Sequence, residues 1–153
     1  MAYNVFVSHA WSYSDRYRGT VNLLDTAKEN LTWFDYKNYS VPKHDPIVDP
    51  SEAVKIAKLT ALLKEQIRLA SVVIVPAGMY VNNRFWIEKE IDMARTSFTK
   101  SKPIIALRRR GQQRDPQDLM DIADEIINWN SNSLANSIYN LCWYFGSVSQ
   151  LIL

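Results

Sequence analysis

Strand and helix signals alternate along this chain, which predicts an α/β fold built on a parallel sheet. Three observations carry that expectation. Short β-branched and aromatic runs such as Tyr3 to Val7 are separated by longer stretches with apolar residues three and four apart, as in Val21, Leu24, Ala27 and Leu31. The run Val72-Val73-Ile74-Val75 is apolar at every position, as a central parallel strand buried on both faces must be. The third is size: 153 residues, 47% hydrophobic and 22% charged, suit a single soluble domain (residues 1–153) with a real core.

Taken in order, the first strand ends at Ser8-His9, and a helix follows from Ser14 to Asn30. Thr32-Trp33-Phe34-Asp35-Tyr36 reads as the second strand. Lys37 to Ser51 holds Pro42, Pro46 and Pro50, which exclude a regular helix or central strand and predict a long loop. Asp49-Pro50-Ser51-Glu52 supplies helix start signals for a second helix to Leu69. Ser71 to Pro76 is the third strand, Ala77 to Asn83 a turn-rich loop, and Arg84 to Thr99 the third helix. Lys102 to Leu107 is the fourth strand, followed by a basic loop from Arg108 to Gln117. A short helical piece near Leu119, a fifth strand at Glu125 to Trp129 and a last helix from Ser133 complete the chain. Strict alternation means βαβ units with helices on both faces, a three-layer sandwich whose leading topology is the flavodoxin-like order 2-1-3-4-5. Ligands in that order bind beyond the carboxyl ends of strands 1 and 3. Ser8-His9-Ala10-Trp11 and Ala77-Gly78-Met79-Tyr80 are therefore expected at the mouth of any site.

Much of the chemistry this architecture supports elsewhere lacks its residues here. The four glycines, Gly19, Gly78, Gly111 and Gly146, form neither a G-x-G-x-x-G nor a phosphate loop. A phospho-receiver needs an aspartate after strand 3, where Ala77-Gly78 stands. One cysteine, Cys142, and two histidines, His9 and His44, offer neither a disulfide nor a metal cluster. A net charge of +2 is too small to imply a nucleic-acid or membrane partner. Without a secretory leader pattern or a spanning apolar stretch, the expected location is cytoplasmic.

The third helix holds the informative residue. With Trp86 at zero, Ile87, Ile91, Ala94 and Phe98 fall between roughly 80° and 140°, and Met93 near about −20°. Glu90 falls at about +40°, inside this apolar arc, whereas Glu88 at about 200° faces solvent. A carboxyl on a buried arc costs several kcal/mol unless it is paired or lines a cavity. Helix geometry alone leaves two readings open: a working carboxylate screened by Trp86, or an edge residue that snorkels out or pairs with Arg84 or Lys89.

Tyr3-Asn4-Val5-Phe6-Val7-Ser8 resembles the first box of TIR domains. Trp86-Ile87-Glu88-Lys89-Glu90 resembles their Trp-Cys-x-x-Glu motif, with isoleucine at the cysteine position. Phe34-Asp35-Tyr36 before a proline-bearing loop is similar to the TIR-like branch found in bacterial anti-phage Thoeris systems. The likeness covers roughly residues 3 to 130. The loop that carries Arg-Asp-x-x-Pro-Gly in receptor TIR domains reads Lys37-Asn38-Tyr39-Ser40-Val41-Pro42-Lys43, which argues against an animal-type adaptor.

What this resemblance implies is an NAD-cleaving enzyme with Glu90 as its catalytic carboxylate and NAD as substrate rather than resident cofactor. Its product would be a cyclic or modified ADP-ribose that activates a separate effector protein. Trp86 would wall the pocket; by their place at the ends of strands 1 and 3, Ser8, His9 and Tyr80 are expected to hydrogen-bond or stack on the dinucleotide, and Asp35, a substrate-site candidate at the end of strand 2, either positions the adjoining loop or caps a turn. TIR domains generally assemble, so self-association is expected too, and Trp143, Tyr144 and Phe145 offer apolar surface for it. The alternatives are a non-catalytic TIR-like interaction module and a nucleoside glycosyl hydrolase or transferase on the same fold. Arg108-Arg109-Arg110 with Arg114 is read either as a phosphate grip or as a solvated face.

Overall fold

A computed structural model describes residues 2–8, 15–40, 53–80, 84–108 and 116–151. Five strands, β1 (Tyr3–Val7), β2 (Tyr36–Asn38), β3 (Val72–Pro76), β4 (Ile104–Leu107) and β5 (Glu125–Ile127), form one all-parallel sheet in the order 2-1-3-4-5. This is the flavodoxin-like arrangement the sequence predicts. Helices α1 (Asp15–Asn30), α2 (Ala53–Leu69), α3 (Ala77–Tyr80), α4 (Arg84–Thr96), α5 (Gln117–Ile122) and α6 (Ser131–Leu151) connect and cover the strands.

Side-chain alternation along the strands divides the interior into two layers. Phe6, Val73, Val75, Ile104 and Ala106 pack against Leu63 and Ile67 of α2 and Ile87 and Ile91 of α4. Val5, Val7, Val72, Ile74, Ile105 and Leu107 pack on the other face, against Leu24 of α1 and Leu134 and Ile138 of α6. The central strands β3 and β4 are buried throughout, whereas the edge strands β2 and β5 are only partly covered. The parity has a consequence just past β1: Ser8 continues the side of Phe6 and so faces the layer that holds α4.

Several boundaries differ from the sequence reading, each for a local reason. The second strand is not Thr32 to Tyr36 but Tyr36–Asn38. The Phe34 amide turns back onto the Leu31 carbonyl at 3.1 Å, and the Phe34 ring, 2% exposed, lies between Tyr3 and Tyr36. Its apolar character is that of a core plug in a turn. The third helix stops at Thr96 rather than Thr99, and the Lys102 amide returns to the Ala94 carbonyl at 2.8 Å. The last helix begins at Ser131, two residues earlier than read, because Asn130 accepts from the Ser133 amide at 2.9 Å and caps it. The loop after β3 contains the short α3, and the fifth strand ends at Ile127 rather than Trp129. Among the described residues no helix is long and apolar enough to cross a membrane.

Candidate active site at the carboxyl edge of the sheet

β1 and β3 are neighbours, and beyond them the chain departs to opposite faces, to α1 on one side and through α3 to α4 on the other. Ser8 is fixed there by its backbone, whose amide donates to the Ile74 carbonyl at 2.8 Å. Its hydroxyl donates to Oε2 of Glu90.

Glu90 is fully buried on α4, between the apolar positions Trp86, Ile87, Ile91 and Met93. Its second oxygen, Oε1, is also buried and meets no hydrogen-bond partner among the described residues. Burial raises the carboxyl to a pKa of about 8, the Ser8 hydroxyl pulling weakly in the opposite direction. At neutral pH the resting group therefore holds a proton. The edge-residue alternative for Glu90 does not hold. Arg84 pairs with Asp118 at 2.7 Å, and Lys89 lies over the Phe85 ring, 5.4 Å from its centroid.

The other residues named from sequence divide. Trp86 stands one turn before Glu90, 8% exposed, with its ring edge-on to Phe85. Tyr80 follows β3 as expected but is not turned toward Glu90. Its ring lies under the Arg84 guanidinium, 4.9 Å from the centroid, and its hydroxyl donates to Glu88 on the exposed face of α4. Asp35 is a correction. It precedes β2, and its carbonyl accepts from the amide of Tyr3 at the start of β1, which puts it on the opposite, amino edge of the sheet. There its carboxylate pairs with Lys28 at 3.1 Å and accepts the Tyr36 amide, contacts that hold it below the usual carboxylate range. His9, His44 and Arg109, Arg110 and Arg114 lie outside the described residues. Arg108 reaches Asn128 at 3.2 Å.

One arrangement at this edge was not legible from sequence. Arg16, in the first turn of α1, donates to the carbonyl oxygen of Gly78 on α3, just past the end of β3. A cavity of about 450 Å³, lined by Tyr3, Trp33, Asn136 and Tyr139, belongs instead to the amino edge. No group of three or more His, Cys, Asp or Glu suited to a metal occurs among the described residues.

Five parallel strands in this order, with a tryptophan and a buried glutamate one turn apart on α4, are the arrangement expected from the resemblance to TIR domains. The sequence profile of the family described as "Thoeris protein ThsB, TIR-like domain" matches residues 6–114. The chain belongs to that family, which makes it a TIR-type protein of a Thoeris defence system. No curated protein matches it. Among solved structures it is similar to a response regulator from Hahella chejuensis, 15% identical over 94% of this chain and 95% of that one, with a TM-score of 0.43. It is also similar to a diflavin flavoprotein A3 from Nostoc sp., 14% identical over 95% of this chain and 93% of that one, with a TM-score of 0.42.

Proposed function

We propose that this protein cleaves NAD at Glu90, releasing nicotinamide and forming a cyclic or otherwise modified ADP-ribose that signals to a separate effector of the defence system. The observation that carries this reading is the Glu90 carboxyl itself. It is wholly buried, held through one oxygen by Ser8 and left without a described partner at the other. A residue kept only for packing has no reason to be ionisable there.

In NAD the nicotinamide leaves as a neutral base, taking the electron pair of its C–N bond and leaving positive charge on ribose C1′ and the ring oxygen. A carboxylate against that sugar, in a site closed to water, offsets the charge where it develops. The resting carboxyl is protonated at neutral pH, but the cationic nicotinamide riboside group favours its ionised form. The proton leaves as substrate enters. Ser8 then holds the carboxylate in place through a charge-assisted hydrogen bond. Water at C1′ gives ADP-ribose and a proton; an internal nitrogen or hydroxyl of the same molecule gives a cyclic isomer and a proton.

The test is nicotinamide release from NAD, followed by chromatography, in wild type and Glu90→Gln, each with and without extract of phage-infected cells. Release that falls by about a hundredfold or more in folded Glu90→Gln supports the reading. Release that survives the substitution overturns the assignment, and silence of the wild type under both conditions overturns the activity.

A further inference from the structure

The Arg16–Gly78 contact has a geometry that packing does not require. A Cβ added at position 78 would lie 3.0 Å from Arg16 Nε and 3.1 Å from its Cζ, tighter than nine in ten real Cβ contacts. The guanidinium is thus seated directly on the backbone of α3, in space that a side chain at this position would take. A side chain there would push the guanidinium off this seat by a few tenths of an ångström.

The seat also has a defined height above Glu90. Ser8 is level with Ile74 through its backbone hydrogen bond. Gly78 is four residues farther along the chain, past the end of β3. Two more strand residues and the start of a helical turn put the guanidinium on the order of 10 Å above the Ser8–Glu90 pair. Both stand over the β1–β3 junction, where the fold places ligands.

Chemistry identifies what such a group takes. Guanidinium is a permanent cation with five N–H donors in a planar fork, matched to phosphate oxygens. The Gly78 carbonyl takes a hydrogen from Nη1. The acid beside it in sequence, Asp15, is turned to Arg18 at 2.8 Å and does not neutralise it. Arg16 is half-buried, so part of it remains open to solvent. A dinucleotide whose nicotinamide ribose rests on Glu90 through C1′ carries its diphosphate on C5′ of that same ribose, across the sugar and toward this head.

We propose that Arg16, seated on Gly78, is the diphosphate-binding residue of the dinucleotide site. The assignment rests on the NAD reading above for its substrate, but its test does not need turnover. ADP-ribose and adenosine are titrated calorimetrically into wild type, Arg16→Gln, Arg16→Lys and Gly78→Ala, with thermal unfolding as the control for folding. The wild type binds ADP-ribose more tightly than adenosine, and Arg16→Gln weakens ADP-ribose about tenfold or more while leaving adenosine unchanged. Arg16→Lys recovers part of the loss. Gly78→Ala, which keeps the charge and moves its seat, falls between Arg16→Gln and wild type. Where NAD is cleaved, Arg16→Gln raises KM for NAD with little change in kcat and does not alter cleavage of nicotinamide riboside, which has no diphosphate. Equal ADP-ribose affinity in wild type and folded Arg16→Gln overturns the assignment, as does an equal loss for adenosine. If Arg16→Gln fails to fold, Gly78→Ala with unchanged ADP-ribose affinity overturns it. Failure of the NAD reading registers instead as absent nicotinamide release.

Discussion

Glu90→Gln should change stability by an amount that depends on pH, lowering it near pH 5 and raising it above neutral. The folded carboxyl holds its proton up to about pH 8, whereas the same group ionises at an ordinary 4.5 in the open chain. Between these values the folded state binds one more proton than the unfolded state, so stability falls as pH rises. The stabilising contribution of the proton is complete below the unfolded value and is lost through the folded one. The slope is about 1.4 kcal/mol per pH unit, on the order of 3 kcal/mol by pH 7 and a little under 5 by pH 8. Glutamine has nearly the same shape, keeps an oxygen for the Ser8 hydroxyl and cannot ionise. Its amide enters the place where Oε1 already lacks a described partner, which costs about 1 to 3 kcal/mol at every pH. The readout is urea unfolding of both proteins at pH 5, 6, 7 and 8. The difference between them should shift in favour of Glu90→Gln by about 3 kcal/mol from pH 5 to 7. Parallel pH profiles would refute the claim that this carboxyl is buried and protonated at rest.

The same proton sets the kinetics: kcat/KM for NAD cleavage should climb about tenfold per pH unit below a limb near 8, and a limb below pH 5 would contradict it. Ser8→Ala removes the one contact that favours ionisation, so that limb should move upward by about one pH unit, read from the same pH–rate series. Asp35→Asn should leave NAD cleavage within about twofold of wild type, because Asp35 stands on the amino edge beside Lys28; a loss of activity would argue that the strand-2 side reaches the site after all. Arg95 pairs with Asp124 at 2.9 Å and also donates to the Ile122 and Lys102 carbonyls, tying α4 to α5 and β5. Arg95→Ala should therefore cost about 2 to 4 kcal/mol of unfolding free energy without altering the pH of the kinetic limb.

How much of this was legible in the sequence follows from the range of the signals. The central strands were readable because Val72 to Val75 and Ile104 to Leu107 are apolar at every position, which a strand buried on both faces requires. Glu90 was readable as inward because the helical period places it between Trp86 and Ala94, inside the apolar arc. Trp33 and Phe34 misled because aromatic residues mark strands and core plugs alike; Trp33 is in fact 43% exposed, and only Phe34 is buried. A four-residue helix such as α3 has too few turns for any period. Contacts between distant segments left no trace. Ser8 and Glu90 are 82 residues apart and Arg16 and Gly78 are 62 apart. Nothing in either neighbourhood specifies the other. Parity along β1 did hold the missing half of the first contact, since Phe6 and Ser8 share a side, but it becomes usable only once α4 is known to cover that side.

The stability cost of Glu90 and its proposed use have a common origin. Burial penalises the charged form, which raises the pKa and lowers stability at neutral pH; isosteric glutamine avoids the titration penalty. Burial also gives a carboxylate its greatest effect on a developing cation, because few waters compete for the charge. A solvated glutamate, such as the exposed Glu88 two residues earlier on the same helix, carries neither the cost nor the effect. Under the proposed reaction the resting site is therefore neutral, and its negative charge arises only when a cationic substrate enters to stabilise it. This also limits what the site accepts. A neutral glycoside supplies no charge to draw the proton off Glu90, so the enzyme should discriminate against uncharged nucleosides even where they fit. Adenosine or inosine hydrolysed as fast as NAD at pH 7 would show that Glu90 acts as a proton donor to the leaving group, and that the reaction belongs to the glycosyl-hydrolase class instead.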